Sequence, residues 1–329
     1  MQSKTVSMVV IDAGGRYGLH PTWKRYDGEL DYYLFEPDLQ EANRLIQKYK
    51  KRTAEVRVEA MALGAKSGDL KINILRNKAM STSTVRNPVS ALFTGERRQE
   101  VDTVDVINVP MVTIDEYADE NNLNVDFLKL DTEGSEYEIL NGSTKQLERN
   151  ILGVRSEVAF DHIFQGKEIF SDIHALMLQK GFFLLNLDYL GQGDYQREEV
   201  AASGRFGILT ACDAVWLRRF ESFLDQKGAE KDAILKVLKV AAFCFHNFAP
   251  DVALKLLLDA RRIYHYSFKE FSQSKLYGGL DNLVHRHFYR LKWQPGQSLK
   301  NNQKIYFDIF EKEMKVMNEY MESLELNPE

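Results

Sequence analysis

From residue 6 to residue 217 the chain alternates short β-rich runs with helical stretches, and after residue 218 the alternation stops. Repetition of that kind buries its apolar faces as a mainly parallel sheet with helices on both sides. Strands are expected at residues 6–11, 31–35, 55–60, 125–130, 152–158, 182–187 and 211–217, and helices at 37–51, 135–147 and 170–180. Pro37 suits the first turn of the helix at 37–51, where its missing N–H costs nothing. Residues 70–75 and 103–109 alternate apolar and polar side chains, the pattern of half-exposed strands in an insertion. Thr113, with Glu116 three residues on, is a capping-box signal for a helix to about residue 121. Residues 219–329 show helical periodicity only, at 231–246, 250–266 and 303–324. The expected organisation is an α/β domain at 1–218 and an α-helical C-terminal region at 219–329.

Charge narrows the partners. The formal net charge of -5 provides no general basic field, so nucleic acid is not the expected substrate. No run approaches the roughly 18–20 apolar residues that cross a bilayer. The first apolar run meets Asp12 too early for a secretory signal. Cys212 and Cys244 sit in apolar segments without metal-ligand spacing and read as buried thiols in a reducing compartment. The expected location is the cytoplasm.

Three turns concentrate the chemistry. In Val9-Val10-Ile11-Asp12-Ala13-Gly14-Gly15-Arg16-Tyr17-Gly18 a strand ends in an acid and enters a glycine turn. Glycine there permits positive φ and lets a ligand approach the backbone; a following helix start would offer free N–H groups. Gly14 and Gly18 are four apart, unlike the G-x-G-x-x-G of dinucleotide enzymes. Leu34-Phe35-Glu36-Pro37 places an acid at the end of the next strand, 24 residues beyond Asp12, where a carboxylate can hold ribose hydroxyls. The densest segment runs from Val125 through Asp131-Thr132-Glu133-Gly134-Ser135-Glu136-Tyr137-Glu138 to Gly142. Glu136 and Glu138 are explained there as dipole and solvation charges of a helix, whereas Asp131 and Glu133 sit on the turn itself.

Asp-x-Glu-Gly-x-Glu followed by Leu-x-Gly resembles the hallmark of the FkbM methyltransferases. Neighbouring segments resemble that family in the same order: Asp12 to Gly18, Phe35-Glu36-Pro37, Ala62-Leu63-Gly64, Ser81-Thr82-Ser83, and Val112-Thr113-Ile114-Asp115-Glu116-Tyr117. Gly15-Arg16 departs from the family's usual Ala-Asn. The resemblance covers about residues 6–217 and implies a Rossmann-like class I methyltransferase fold, with a mainly parallel seven-stranded sheet. It also implies S-adenosyl-L-methionine as cofactor. By motif position, Asp12, Gly14 and Gly18 would hold the methionyl end, Glu36 the ribose, and Met61 and Ala62 would flank the adenine. Asp131 and Glu133 would lie near the transferred methyl, and the acceptor would be a hydroxyl of a sugar, glycan or natural product.

A hydroxyl acceptor needs a base or a metal to take its proton. His162 follows a strand expected to end at the same cleft and titrates in the useful range; His20 is a second candidate. Asp131, Glu157 and His162 follow no known metal-ligand spacing, and no metal is expected. Tyr264, Tyr266, Phe268 and Phe271 beside Arg261 and Arg262 read as the face of a helical bundle packed on the catalytic domain. The C-terminal helices are where a homo-oligomer would associate. Two other classes fit the same sheet: an NAD-dependent oxidoreductase, and a non-catalytic scaffold in which Arg16 marks a damaged cofactor turn.

Overall fold

In the computed structural model the described residues are 7–19, 23, 29–50, 56–87, 90, 97–188, 192–193, 208–224, 229–247 and 249–264. The chain begins with two nearly buried six-residue strands, β1 (Met8–Ala13) and β2 (Leu30–Phe35), which pair in parallel. Asp38 then caps α1 (Leu39–Tyr49), its side chain accepting from the N–H groups of Gln40 and Glu41. Pro37 therefore stands before the cap and not in the first helical turn, because Asp38 can satisfy two orphan donors that Pro37 cannot. Ala42, Leu45 and Tyr49, at helical spacing, are the buried side of α1.

β3 (Val56–Glu59) pairs with β2, and a separate three-stranded sheet follows from β4 (Ala62–Leu63), β5 (Gly68–Leu75) and β6 (Thr103–Val112), with the short helix α2 (Arg97–Glu100) leading into β6. This sheet is the expected insertion, and its Ile72, Ile74 and Val109 bury a small core of their own. α3 (Ile114–Glu120) has half of the expected capping box: the Thr113 hydroxyl accepts from the Glu116 N–H at 3.0 Å, but the Glu116 carboxylate turns to the Thr113 and Ser67 hydroxyls.

β7 (Phe127–Leu130) is followed not by one helix but by two, α4 (Glu136–Asn141) and α5 (Thr144–Arg149). The break falls at Gly142, where a Cβ would overlap the Gly64 carbonyl beside β4, so the chain comes too close to its neighbour for the helix to continue with a side chain there. Asp115 fastens the same joint: its N–H donates to the Gly142 carbonyl at 3.0 Å and its carboxylate caps α5 through Lys145 and Gln146 N–H. The chain continues through β8 (Gly153–Ala159), α6 (Phe170–Gln179), β9 (Phe182–Asp188), the two-residue strands β10 (Gln192–Gly193) and β11 (Ile208–Leu209), and β12 (Ala211–Arg218). α7 (Glu230–His246) and α8 (Pro250–Tyr264) close the described part.

The main sheet has the order β3-β2-β1-β7-β8-β12-β9, parallel except for β12, which runs antiparallel to both β8 and β9. One face is covered by α3 to α6, through residues such as Ile114, Ile139, Leu147, Ile173 and Met177 packed on Ile11, Leu128, Val154 and Trp216. On the opposite face Phe243 of α7 stacks on Phe127 at 4.6 Å, with Trp23 5.9 Å from Phe127. Lys239 of α7 makes a buried ion pair with Asp126 at 2.7 Å. β12 ends where the sequence pattern changes, yet α7 and α8 fall in the same compact unit as the sheet, Met1–Tyr277. Tyr264 is buried within this unit and donates to the Leu224 carbonyl; Tyr266, Phe268, Phe271, the helix expected at 303–324 and the side chains of Arg261 and Arg262 lie outside the described residues. Cys212 and Cys244 are buried and unpaired. Among the described residues no helix is long and apolar enough to cross a membrane.

Candidate active site

Strand order reverses between β1 and β7, since β2 and β3 lie to one side of β1 and the later strands to the other. Such a switch point opens a crevice at the carboxyl ends of the strands. A cleft lies there, lined among others by Gly14, Glu36, Met61, Ala62, Asp131 and Glu133. Leu70, Ile72, Ile74 and Ile107 of the small sheet supply part of its apolar wall.

The floor of the cleft is a contact between two turns. Gly14, at φ +81°, has no room for a side chain, because a Cβ would overlap the carbonyl oxygen of Asp131. Gly14 and Gly15 both donate to the Phe35 carbonyl, and Asp131 N–H donates to the Ala13 carbonyl at 3.0 Å, so the ends of β2, β1 and β7 are tied together. Gly18, also left-handed at φ +84°, lies away from the lining; a Cβ there would strike the Tyr49 hydroxyl, which accepts from Leu19 N–H at 2.7 Å. The expected helix start after this turn falls largely on residues 20–28, outside the described set apart from Trp23, as does His20.

Asp12 is 1% exposed and is not part of the lining. Tyr32 donates to its carboxylate, Lys129 lies 3.2 Å away, and Lys129 also reaches Asp131 at 3.4 Å. Burial raises the Asp12 pKa despite these partners. Burial works against the Lys129 ammonium too, but Asp12 and Asp131 outweigh it and hold the lysine above its ordinary value. Asp12 thus acts on the cleft through Lys129, by fixing the strand ends.

Glu36 ends β2 and lines the cleft at 5% exposure. Its Oε1 accepts from Asp38 N–H at 2.8 Å, and Oε2 has no bonded donor among the described residues. Burial pushes its pKa up to about 7, against the pull of that N–H and of Arg16. Arg16 lines the same part of the cleft and sits 3.5 Å from Asp38.

Across the cleft, Glu133 adopts φ 57°, left-handed for a non-glycine residue, followed by Gly134 at φ 105°. Three contacts hold the turn. Thr82 Oγ1 donates to the Glu133 carbonyl at 2.6 Å, Ser83 bonds Ser135 at 2.8 Å, and Arg86 meets the Glu133 carboxylate at 3.2 Å while also donating to the Met80 carbonyl. Burial pushes the Glu133 pKa up to about 7, with Asp131 and Glu136 adding to the effect of burial and Arg86 opposing it. Glu157, from β8, is raised well above its ordinary value by burial and by Glu133 and Asp131. Asp131 itself is half exposed.

Glu136 is not a solvated helix charge. It is 6% exposed and accepts from Thr132 N–H, Thr132 Oγ1 and Gly134 N–H at 2.7, 2.8 and 3.0 Å, clamping the acidic turn from inside. Glu138 pairs with Lys167. His162 is exposed, outside the lining, and its Nδ1 lies 3.3 Å from the Lys167 carbonyl. Asp161 and His162 are exposed, whereas Ile163 and Phe164 just after them are buried. Among the described residues no three His, Cys, Asp or Glu side chains form a metal-binding group. Sequence reasoning missed Lys129 and Arg86. Lys129 had a signal, a cation inside an otherwise apolar strand two residues before Asp131; Arg86, 47 residues from Glu133, had none.

A mixed seven-stranded sheet with one antiparallel strand, β12, and a cleft at the β1/β7 switch point defines a class I methyltransferase fold. The chain belongs to the FkbM methyltransferase family: the family described as Methyltransferase FkbM domain matches residues 12–184. Similar solved structures include methyltransferase FkbM from Methylobacillus flagellatus, 15% identical over 64% of this chain and 43% of that one, at a TM-score of 0.39. This chain thus spans less than half of that protein. An rRNA methylase from Streptococcus thermophilus is 11% identical, covering 64% and 88% of the two chains at a TM-score of 0.33. A SAM-dependent methyltransferase from Agrobacterium tumefaciens is 9% identical, covering 65% and 57% at 0.33. No curated protein matches the chain.

Proposed function

We propose that the chain transfers the methyl group of S-adenosylmethionine to a hydroxyl oxygen of a sugar, glycan or other natural product. The observation that carries the cofactor reading is Glu36: a carboxylate buried at the end of β2, facing a cleft, with one oxygen held and the other open to accept from ribose hydroxyls. The glycine turn fits the same ligand, because bare backbone at Gly14 permits close approach. Met61, Ala62 and Leu63 offer an apolar surface for the adenine ring.

The cofactor supplies an electrophilic methyl on a positively charged sulfur. The protein's part is to hold the acceptor in line, exclude water and receive the hydroxyl proton. Glu133 is the base in this reading. It lines the cleft, and a carboxyl with a pKa near 7 combines a useful ionised fraction with real basicity at neutral pH. Asp131 fixes the Lys129 ammonium beside it.

Calorimetric titration with S-adenosylhomocysteine, run beside NAD, tests the cofactor. Micromolar binding of the first without the second supports the reading, and the reverse replaces it with an oxidoreductase. Labelled methyl transfer to a panel of sugar and glycan hydroxyls then tests the acceptor; label found on nitrogen or carbon acceptors alone would overturn O-methylation.

A further inference from the structure

The serine-rich stretch Ser81-Thr82-Ser83 belongs to a segment that the cofactor reading leaves unused. Leaving β5, the chain makes one short helical turn, Lys78–Met80, and brings Lys78, Ser81 and Ser83 into the cleft lining. Its path is fixed by backbone bonds. Asn73 and Thr82 exchange N–H donors and carbonyls at 2.8 and 3.1 Å, and the Ser81 hydroxyl donates to the Lys78 carbonyl at 2.8 Å. Every acid in the lining already has a partner: Arg16 stands against Asp38, the Asp38 N–H against Glu36, Lys129 against Asp131 and Arg86 against Glu133. Of the two cations in the lining, Arg16 and Lys78, the second is exposed and has no carboxylate within ion-pair distance among the described residues. Ser83 and Ser135, also in the lining, bond each other at 2.8 Å, which uses one of their two hydroxyl protons and leaves the other to donate. An ammonium and a hydroxyl donor facing one cleft suit an oxyanion brought by a ligand.

We propose that Lys78, with the Ser83–Ser135 pair, holds an oxyanion carried by the methyl acceptor, a phosphate or a carboxylate group. The proposal rests on the methyl-transfer reading and narrows its acceptor from hydroxyl compounds in general to anionic ones. A neutral acceptor that covered Lys78 would cost the ammonium its water with nothing in return; an oxyanion offsets that cost. Thr82 and Arg86 bond the same segment to the carbonyl and the carboxylate of Glu133. An acceptor anchored at Lys78 is therefore held by the frame that also sets the base. The competing occupant is the carboxylate of the cofactor itself, the one anion that S-adenosylmethionine brings.

The test loads the full chain with S-adenosylhomocysteine and titrates inorganic phosphate and acetate calorimetrically into wild type, Lys78→Gln and Lys78→Arg. Wild type is expected to bind one probe ahead of the other, and which one separates a phosphate from a carboxylate acceptor. Lys78→Gln should weaken that binding about fivefold, the size of one screened unit-charge interaction at about 4 Å, and Lys78→Arg should keep it. Affinity for S-adenosylhomocysteine should be equal in all three. In labelled methyl transfer to matched sugars, the phosphorylated or carboxylated member should then be labelled ahead of its neutral counterpart, and equal labelling would overturn the proposal. Probe binding absent from wild type, or indifferent to Lys78→Gln, would overturn it too. So would a loss of S-adenosylhomocysteine affinity in Lys78→Gln, which would give the lysine to the cofactor's carboxylate. All three outcomes leave the cofactor reading standing, whereas failure of wild type to bind S-adenosylhomocysteine would overturn that reading and the proposal together.

Discussion

Glu36 and Glu133 invite comparison because they stand on opposite sides of one cleft and burial lifts both to about 7. Glu36 is held by its own neighbourhood: the Asp38 N–H two residues on bonds one oxygen, and the same Asp38 caps α1. Glu133 is held from far away in the chain, by Arg86 on its carboxylate and Thr82 on its carbonyl, and its backbone is left-handed. A locally held acid tolerates change around it. One assembled from distant segments depends on each of them. That difference suits a positioning group at β2 and a group whose charge matters at β7.

The most damaging change should be one that both ends share. Gly14→Ala is expected to cost about 3 kcal/mol of stability, from a side chain forced into the Asp131 carbonyl at positive φ. Urea unfolding measures it, and a loss below 1 kcal/mol would mean that the two turns are not rigidly joined. Next in size, Glu36→Ala should weaken S-adenosylhomocysteine about 10- to 100-fold, as loss of hydrogen bonds to a charged acceptor does. Unchanged affinity by calorimetry would remove Glu36 from the site.

Stability against pH separates the two acids further. Each folded pKa lies near 7, above its ordinary value of 4.5, so folding favours the protonated form. Their stabilisation is fully present below about 4.5 and is lost as pH rises through about 7. Glu36→Gln should flatten that decline and be more stable than wild type at pH 8 by about 1–2 kcal/mol. Glu133→Gln should gain less, because it strips the buried Arg86 guanidinium of its carboxylate. Equal gains would show the Arg86 pair to be without consequence. The smallest effect belongs to Arg86→Gln, which should move the Glu133 titration upward from about 7, followed by carboxyl carbon NMR.

The family motifs were legible because they are contiguous, but their residues divide by role in a way that contiguity hides. Glu36, Met61, Ala62, Asp131 and Glu133 line the cleft. Gly64, Asp115, Glu136 and Gly142 hold the frame, through the Gly142–Gly64 approach, the Asp115 cap on α5 and the Glu136 clamp. Asp12, placed just before the glycines, is bonded to Tyr32 and Lys129 on the neighbouring strands. His162, three residues beyond β8, is exposed and outside the lining.

By itself the sequence determined the parallel sheet, the glycine turn, the acids at the ends of β2 and β7, and the helical character of residues 230–264, because each depends on periodicity or turn chemistry within a few residues. Tertiary structure decided the rest. It set which acids are buried, which cation meets which carboxylate, the break between α4 and α5, and the packing of α7 on the sheet through Phe243 and Lys239. The reason is physical: a pKa, an ion pair or a close glycine contact depends on distances between segments, and no local pattern in a single chain carries the distance from Arg86 to Glu133.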